Sequence, residues 1–271
     1  MQLKVTLIFL ILLALFGSCN KKESLEINNS PSGFLNKVKY GADLWYEYTW
    51  NNNNLINEEK SKFHYTQHNY NDNNQLVSSD FYVDPAIYSS SSYVLDAAMK
   101  RTEWVNPDNT AKESSNNYEY NGNGQLIKRT ILRLSTNYKS YTTFEYNSNG
   151  QINKETWHYE NKDQGYRDYV YDNAGNLISE KRYNLDSVTG KFKPSTTTTY
   201  EFDNNHNPYR SFNRQLPGLY TNQNNIVKET YELHFEVDAS IQKIQITETT
   251  YEYNERGYPI KKDGVIEFVY Y

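Results

Sequence analysis

Five histidines and a set of regularly spaced glutamates are the side chains of this sequence that could bind a metal or transfer protons. His64 and His68 are four residues apart, a spacing that puts two imidazoles on one face of a helix, as many zinc sites require. The residues around them alternate in the manner of a strand, and four residues of strand span roughly 13 Å. We therefore expect no metal site.

Four glutamates of a repeated motif lie between its two aromatic residues, and inside a barrel such carboxylates could converge as a general acid and a general base. They are Glu119, Glu145, Glu201 and Glu252. Their regular recurrence instead favours a solvated face of a sheet. The sequence also lacks the Gly-x-Ser-x-Gly, His-Glu-x-x-His, phosphate-loop and EF-hand motifs. We predict a protein without enzymatic activity and without a cofactor.

Aromatic side chains are the other candidates for binding, since the sequence contains 27 Tyr and 4 Trp. The flat faces of Tyr and Trp suit stacking on sugar rings. Trp50 lies in a repeated motif, which indicates a packed face, whereas Trp104 and Trp157 lie outside the repeated turn positions. These two are the predicted ligand-stacking residues. Glycan binding is accordingly an alternative function.

An internal repeat positions these residues along the chain. Four segments contain two aromatics flanking one residue, then Asn or Asp, two further residues and Gly; weaker copies begin at Tyr48, Tyr70, Tyr200 and Tyr220. A short Asn or Asp side chain closes a turn by accepting a backbone N–H, and Gly supplies the positive φ that follows. The predicted turn positions are Asn121, Gly124, Asn147, Gly150, Asp172, Gly175, Asp203, Asn254 and Gly257.

Each repeat unit predicts a strand, a tight turn and a second strand with its aromatics on one face. Eight units imply roughly sixteen strands, more than an open twisted sheet usually carries without curling. The predicted fold class is all-β: an antiparallel up-and-down meander of repeated β-hairpins, strongly coiled or closed into a barrel. Residues 260–271 predict one more hairpin, around Asp263 and Gly264, that supplies a closing strand. Segment 84–101 fits a loop with either a short helix or a strand.

The amino-terminal residues have the pattern of a cleavable export signal. Their apolar run, Val5 to Phe16, is shorter than the roughly 20 residues of a membrane-spanning helix. Cys19, the only cysteine, follows the small pair Gly17-Ser18. The segment ending at this cysteine resembles the lipobox of bacterial lipoproteins, which implies a diacylglycerol and an acyl modification on Cys19. An ordinary secretory signal with an incidental cysteine is the alternative.

These features divide the chain into three parts. Residues 1–18 are predicted to be a signal peptide, 19–36 a lipidated Cys with a flexible tether, and 37–271 a single domain of β-hairpin repeats. Without the signal, the formal charge is one unit more negative than the −5 of the complete sequence, because the signal carries one cation and no anion. Such an acidic chain is a poor partner for nucleic acid.

The repeat resembles the YD repeat of RHS-type proteins, and Tyr169–Leu177 is close to that pattern. RHS arrays wind into a shell and end in an Asp-Pro-x-Gly-Arg-type motif, which this sequence lacks, since Ala-Ile follows Asp84-Pro85. The repeat is also similar to that of small surface lipoproteins of Gram-negative bacteria, whose domain of unknown function has a porin-like β fold. This resemblance implies no activity.

Together, the motifs predict a lipid-anchored cell-envelope protein of binding or structural type. We expect it at the outer membrane, because Asn20 stands where inner-membrane retention typically requires Asp. We also expect it to be exposed at the cell surface. Its expected partners are the membrane, through the lipid, and a glycan or another envelope protein. An embedded porin is disfavoured because the strands lack an apolar band that would face lipid.

The Cys19→Ala variant should lose both the lipid and the membrane association, because no other residue can carry the thioether. Labelling with radioactive palmitate and membrane fractionation measure this. A variant that still sediments with membranes contradicts the lipid anchor. Protease added to intact cells should degrade the wild-type protein; degradation only after permeabilisation contradicts surface display.

Overall fold

The computed structural model describes residues 33–62, 64–84, 110–235 and 242–271, together with the backbone of 88–89 and 92–93. The predicted signal peptide, Cys19, Trp104 and most of segment 84–101 lie outside the described residues. The same holds for the predicted tether up to residue 32, whereas its last residues, Leu35 and Asn36, lie in the first strand. Among the described residues, no helix is both long and apolar enough to cross a membrane.

Strands make up most of the described chain. In chain order they are β1 (Leu35–Tyr40), β2 (Asp43–Trp50), β3 (Ile56–Lys60), β4 (His64–Tyr70), β5 (Leu76–Val83), β6 (Tyr88–Ser89), β7 (Ser92–Tyr93), β8 (Ala111–Tyr120), β9 (Leu126–Arg133), β10 (Tyr138–Tyr146), β11 (Ile152–Tyr159), β12 (Lys162–Tyr171), β13 (Leu177–Asp186), β14 (Lys191–Phe202), β15 (Ile226–Leu233), β16 (Ile244–Glu248), β17 (Tyr251–Tyr253), β18 (Pro259–Lys262) and β19 (Ile266–Tyr270). A short 3₁₀ helix, Pro208–Phe212, lies between β14 and β15.

Seventeen of the described strands form one antiparallel sheet, and β6 pairs with β7 separately. Strands of this sheet that are adjacent in sequence pair with one another, except β16 and β17. β5 pairs with β8, and the carboxyl-terminal β19 pairs with β1. The two edges are β16, which pairs with β15, and β17, which pairs with β18. Only Thr249 and Thr250 separate these edges in sequence. The sheet therefore coils back on itself without closing its ladder, at a gap that we call the seam. The predicted all-β meander is confirmed in its coiled form.

Six hairpins end in the same turn, which we call the Asn turn. In the turn that begins at Asn121, the side-chain Oδ1 accepts the backbone N–H groups of Asn123 and Gln125, both at 3.0 Å. The Gly124 N–H donates to the Asn121 carbonyl at 3.0 Å. The fourth residue has positive φ in all six turns, as the left-handed step before the outgoing strand requires. These residues are Asn54, Asn74, Gly124, Gly150, Gly175 and Gly257.

The aromatic residue directly before each of several Asn turns links its hairpin to the preceding one. Tyr146 donates its hydroxyl hydrogen bond to the Leu126 carbonyl at 2.8 Å, and Tyr171 donates to the Ile152 carbonyl at 2.7 Å. Each acceptor is the first residue of the preceding outgoing strand. The other bonds of this tyrosine ladder are Trp50 to Leu35, Tyr70 to Ile56 and Tyr120 to Leu76. The ladder explains why this position carries a donor and an aromatic ring together.

Residues 203–225 depart from the predicted repeat. The sequence predicts a separate hairpin at Tyr220 with its turn at 221–224. This prediction is wrong, since the described chain has no strand between the end of β14 at Phe202 and the start of β15 at Ile226. Asp203 N–H donates to the Asn225 carbonyl at 3.1 Å, and Asp203 Oδ1 accepts the Asn225 N–H at 3.0 Å. These are the contacts of an Asn turn, so 203–225 is such a turn enlarged by an insertion, which we call the plug. Turn-forming residues are local signals and do not report whether strands follow them.

Two apolar clusters fill the inner face of the sheet. The first joins Leu35, Val38, Tyr48, Ile56 and Phe268 of the sheet to Phe212 of the plug. The second consists of Leu126, Phe144, Ile152, Tyr169 and Leu177. In both clusters the aliphatic residue that begins an outgoing strand packs beside the aromatics of the incoming strand.

The Tyr171→Phe variant should lower the free energy of unfolding by about 1 kcal/mol, because it leaves the Ile152 carbonyl without its side-chain donor. Urea denaturation measures this. Tyr138→Phe is the matched control, since Tyr138 is exposed and its hydroxyl makes no hydrogen bond in the described part of the chain. Equal losses in the two variants would contradict a stabilising tyrosine ladder.

Candidate functional site

The plug contacts inner-face residues on widely separated strands. Gln215 Oε1 accepts the N–H of Leu126, at the start of β9, at 2.9 Å. Asn222 Oδ1 accepts the N–H of Leu177, at the start of β13, at 2.8 Å. The Phe212 ring packs edge-on against two aromatics of β2. The plug thus lies inside the coiled sheet and fixes the spacing of its walls.

Buried asparagines hold the plug's own backbone. Asn207 caps the 3₁₀ helix, since its Oδ1 accepts the N–H of Tyr209 at 3.0 Å. Its Nδ2 donates to the carbonyls of Leu219 at 2.7 Å and Asn222 at 2.9 Å. Asn213 ends the helix in the left-handed region at φ +52. These bonds satisfy backbone groups that would otherwise be buried without partners.

A buried charged network joins the plug to β3, β4 and β5. Arg214 Nη2 lies 2.5 Å from Glu59 Oε1 and 2.8 Å from His68 Nε2. His68 Nε2 lies 3.0 Å from the same Glu59 oxygen, and His68 Nδ1 lies 2.9 Å from Ser79 Oγ. Arg214 and His68 are in contact although they are 146 residues apart in sequence. No local pattern could have found this network.

Opposing forces set the ionisation of the network. Burial raises the pKa of Glu59, but contact with His68 and the charge of Arg214 outweigh it and lower the pKa to about 2. Burial lowers the pKa of His68, and the cation of Arg214 lowers it further, against the opposing effect of Glu59. The network therefore holds one anion, one cation and a neutral imidazole near neutral pH.

Ser79, His68 and Glu59 form a chain of hydroxyl, imidazole and carboxylate groups, in the same order as in a catalytic triad. A nucleophile must meet its substrate, and Ser79 is only 5% exposed while His68 is 3% exposed. Arg214 also pairs with the carboxylate and fixes it to the plug. We assign this network to structure.

The predicted site residues lie in different places. Asn121, Asn147, Asp172 and Asn254 each begin an Asn turn, with their Gly partners fourth, and Asp203 begins the plug. His64 Nδ1 lies 2.9 Å from Ser61 Oγ, and the His64 ring lies against Phe81. The four glutamates of the repeated motif are exposed on the outer face, where Glu119 pairs with Lys128 at 2.9 Å.

Trp157, one of the two predicted stacking residues, lies on β11 with its ring against neighbouring strands. Any Cβ at Gly165 would fall 2.3 Å from the ring, so the glycine is needed for this close contact. The Arg182 guanidinium lies 4.8 Å from the ring centroid. The ring is thus occupied by internal contacts, and ligand stacking at Trp157 stays a prediction.

A cavity of about 340 Å³ lies between the plug and the strands on both sides of the seam. We call it the seam cavity. Aromatic residues from several elements line it, as do plug asparagines, threonines and two charged residues. The aromatics are Trp45, Tyr46, Tyr209, Tyr251 and Phe268; the threonines and charged residues are Thr247, Thr249, Glu229 and Lys262.

Three tyrosines of the seam cavity have hydroxyls without a partner. Tyr46, Tyr209 and Tyr251 make no hydrogen bond to any residue in the described part of the chain. Burial raises the pKa of Tyr209, and the phenol groups of Tyr220, Tyr251 and Tyr46 raise it further. These tyrosines line the cavity, so their hydroxyls are available to water or to a ligand.

One exposed aromatic pair adjoins the same cavity. Trp45 lines it and is 43% exposed, and its ring stacks on that of Tyr40 with centroids 4.8 Å apart and an interplanar angle of 7°. No local pattern distinguishes Trp45 from the other tryptophans, because its place beside the cavity depends on plug residues that are far away in sequence.

Comparisons with known proteins identify no family. No protein-family profile matches the chain, and no curated protein matches it in sequence. A porin-like protein from Bacteroides uniformis ATCC 8492 is 11% identical, with 88% of this chain and 97% of that chain covered and a TM-score of 0.41. A porin-like protein from Bacteroides vulgatus ATCC 8482 is 10% identical, with coverage of 88% and 99% and a TM-score of 0.38. At these values the similarities carry no functional argument, and the YD-repeat resemblance stays a prediction.

The Glu59→Gln variant should lower the free energy of unfolding at pH 7 by about 3 kcal/mol, because it leaves Arg214 buried without its anion. The pKa of Glu59 is lower in the folded protein, about 2, than its ordinary 4.5, so its stabilisation is complete above pH 4.5 and is lost towards pH 2. The difference between wild type and variant should therefore narrow on acidification.

Denaturant unfolding at a series of pH values measures this effect. Glu119→Gln is the control, since Glu119 is exposed and should contribute about 0.5 kcal/mol or less. A Glu59→Gln variant as stable as this control would show that the network does not anchor the plug.

Proposed function

We propose that this chain is a lipid-anchored protein of the cell envelope that binds a carbohydrate in the seam cavity, without catalysis. The observation that carries the proposal is the set of three unpartnered tyrosine hydroxyls lining an aromatic cavity. Small-molecule sites are mostly apolar concavities of about 300–1,000 Å³ with a few placed polar groups, and the seam cavity has this composition and size.

Carbohydrates fit this lining better than a purely apolar ligand does. A sugar ring presents C–H groups to an aromatic face and hydroxyls at its edge. Phe268 and the tyrosine rings supply the first contact, and the hydroxyls of Tyr46, Tyr209 and Tyr251 supply donors and acceptors for the second. An apolar ligand would leave these hydroxyls buried without partners, at a cost of about 1–3 kcal/mol each.

Trp45 extends the proposed site towards solvent. Its ring is held rigidly by Tyr40, so that little conformational freedom is lost when a ligand stacks on it. The proposal thus keeps the aromatic mode of glycan binding that the sequence favours as an alternative, but it moves the site from Trp104 and Trp157 to Trp45 and the seam.

The envelope location rests on the lipobox resemblance at Cys19 and on the outer face of the sheet. That face carries charged pairs, such as Lys128 with Glu119 and Lys228 with Glu201. A face that contacted lipid would need an apolar band instead. We therefore place the domain outside the bilayer, held at the outer membrane by the lipid and exposed at the cell surface.

Trp45→Ala and Tyr209→Phe should each weaken carbohydrate binding by about tenfold, because they remove a stacking face and a hydroxyl contact. A glycan array with the full chain in detergent identifies the sugar, and calorimetric titration of that sugar measures affinity. Tyr138→Ala is the matched control, because Tyr138 stacks on Tyr159 as an exposed pair outside the cavity.

Two outcomes would overturn carbohydrate binding in the seam cavity. One is an array without any bound glycan, which favours a purely structural role in the envelope. The other is a bound glycan whose affinity falls no further in Trp45→Ala and Tyr209→Phe than in Tyr138→Ala, since binding would then occur elsewhere.

A further inference from the structure

A second cavity lies at the Asn-turn end of the sheet, between the plug and the turns that begin at Asn121, Asn147 and Asp172. Its volume is about 330 Å³, and we call it the rim cavity. It differs from the seam cavity in its chemistry. The lining includes two arginines and four glutamines, namely Arg210, Arg214, Gln125, Gln151, Gln215 and Gln223.

No carboxylate lines the rim cavity, although the protein as a whole is acidic. Arg214 is neutralised by Glu59 on one side. Arg210 is exposed, and no carboxylate of the described residues lies within ion-pair distance of it. The cavity therefore carries an uncompensated positive charge.

Arg210 is held in place with most of its donors free. Its Nη1 donates to the Thr221 carbonyl at 2.7 Å, which uses one of the five N–H groups of a guanidinium. It also lines a neighbouring cavity of about 300 Å³ beside His206 and Tyr258, whose lining again contains no carboxylate. The cation thus stands in a region of the surface without competing anions.

The turn geometry orients two glutamine amides as donors. Asn121 Nδ2 donates to Gln125 Oε1 at 2.9 Å, and Asn147 Nδ2 donates to Gln151 Oε1 at 3.1 Å. Because each Oε1 is occupied in this way, each Nε2 is left to donate elsewhere. Neither nitrogen has an acceptor among the described residues.

Two amide nitrogens also converge at Gly175. A Cβ built on this glycine would lie 3.7 Å from Gln151 Nε2 and 3.8 Å from Gln223 Nε2. The glycine has φ +92, so the turn itself keeps side chains out of this space. Asp172, the acid of the same turn, does not line the cavity; it accepts the Asn176 N–H at 2.8 Å and Asn176 Nδ2 at 3.0 Å.

From this arrangement we infer that the rim cavity binds the oxyanion group of a small ligand, a carboxylate, sulfate or phosphate. Arg210 supplies the charge and a planar pair of donors, and Gln125, Gln151 and Gln223 supply neutral N–H groups around it. This site is separate from the seam cavity, and it does not depend on carbohydrate binding there.

Titration of the full chain in detergent with sodium glucuronate, glucose 6-sulfate and inorganic phosphate tests the inference and separates the three sources of the oxyanion. At least one should bind, and Arg210→Gln should weaken that binding by about tenfold. The affinity of this variant should also depend less on salt concentration than that of the wild type, because salt screens the charge that the variant lacks. Gln151→Glu should weaken it by a similar factor, because it places a carboxylate in the cavity while leaving the plug contacts unchanged. Arg133→Gln, an exposed arginine above Tyr138 on the wall, is the control for net charge.

Binding that weakens in Arg210→Gln and Gln151→Glu but stays within about twofold in Arg133→Gln supports the site. The inference is overturned if none of the three anions binds, or if Gln151→Glu binds as tightly as the wild type. Thermal unfolding of each variant separates loss of binding from loss of the fold. The seam-cavity variants leave the lining of the rim cavity intact. The experiments therefore distinguish a failure of oxyanion binding from a failure of carbohydrate binding.

Discussion

A sheet whose two edges are consecutive in sequence has to enclose a space, and the rest of this structure follows from how that space is filled. Inward-facing aromatics cover the walls of the seventeen-stranded sheet. An insertion in a single turn, the plug, occupies part of the enclosed space. Polar backbone that enters such an interior needs partners, which Asn207 and Asn222 provide.

Two repeated interactions hold the walls in register. The Asn turn closes six of the hairpins, and the tyrosine ladder fastens five of them to the strand pair before. The ladder is interrupted where Phe202 replaces a donor, and there the plug enters. The buried pair of Arg214 with Glu59 then joins the plug to the opposite wall. Compared with apolar residues of similar size, a buried ion pair contributes little net free energy of folding. Its two charges must nevertheless lie next to each other, so the pair fixes where the plug lies.

The two cavities are the places where plug and wall do not meet, and they inherit their chemistry from opposite parts of the repeat. The seam cavity is lined by the aromatic face of the strands, and its tyrosine hydroxyls lack the carbonyl partners found in the ladder. The rim cavity is lined by the amides of the turns, whose oxygens are already bonded. The same motif thus produces one surface suited to rings and another suited to anions.

The sequence by itself determined the hairpin, because the turn at Asn121–Gly124, the aromatic face and the outward Glu119 depend on contacts within about ten residues. It therefore predicted the all-β meander and the return of the last strand. Tertiary structure alone decided that Asp203 and Asn225 belong to one turn, that Arg214 reaches Glu59, and that Trp45 is exposed beside a cavity. These outcomes depend on residues far apart in the chain and on the shape of an enclosed space, and a local pattern of residue types specifies neither.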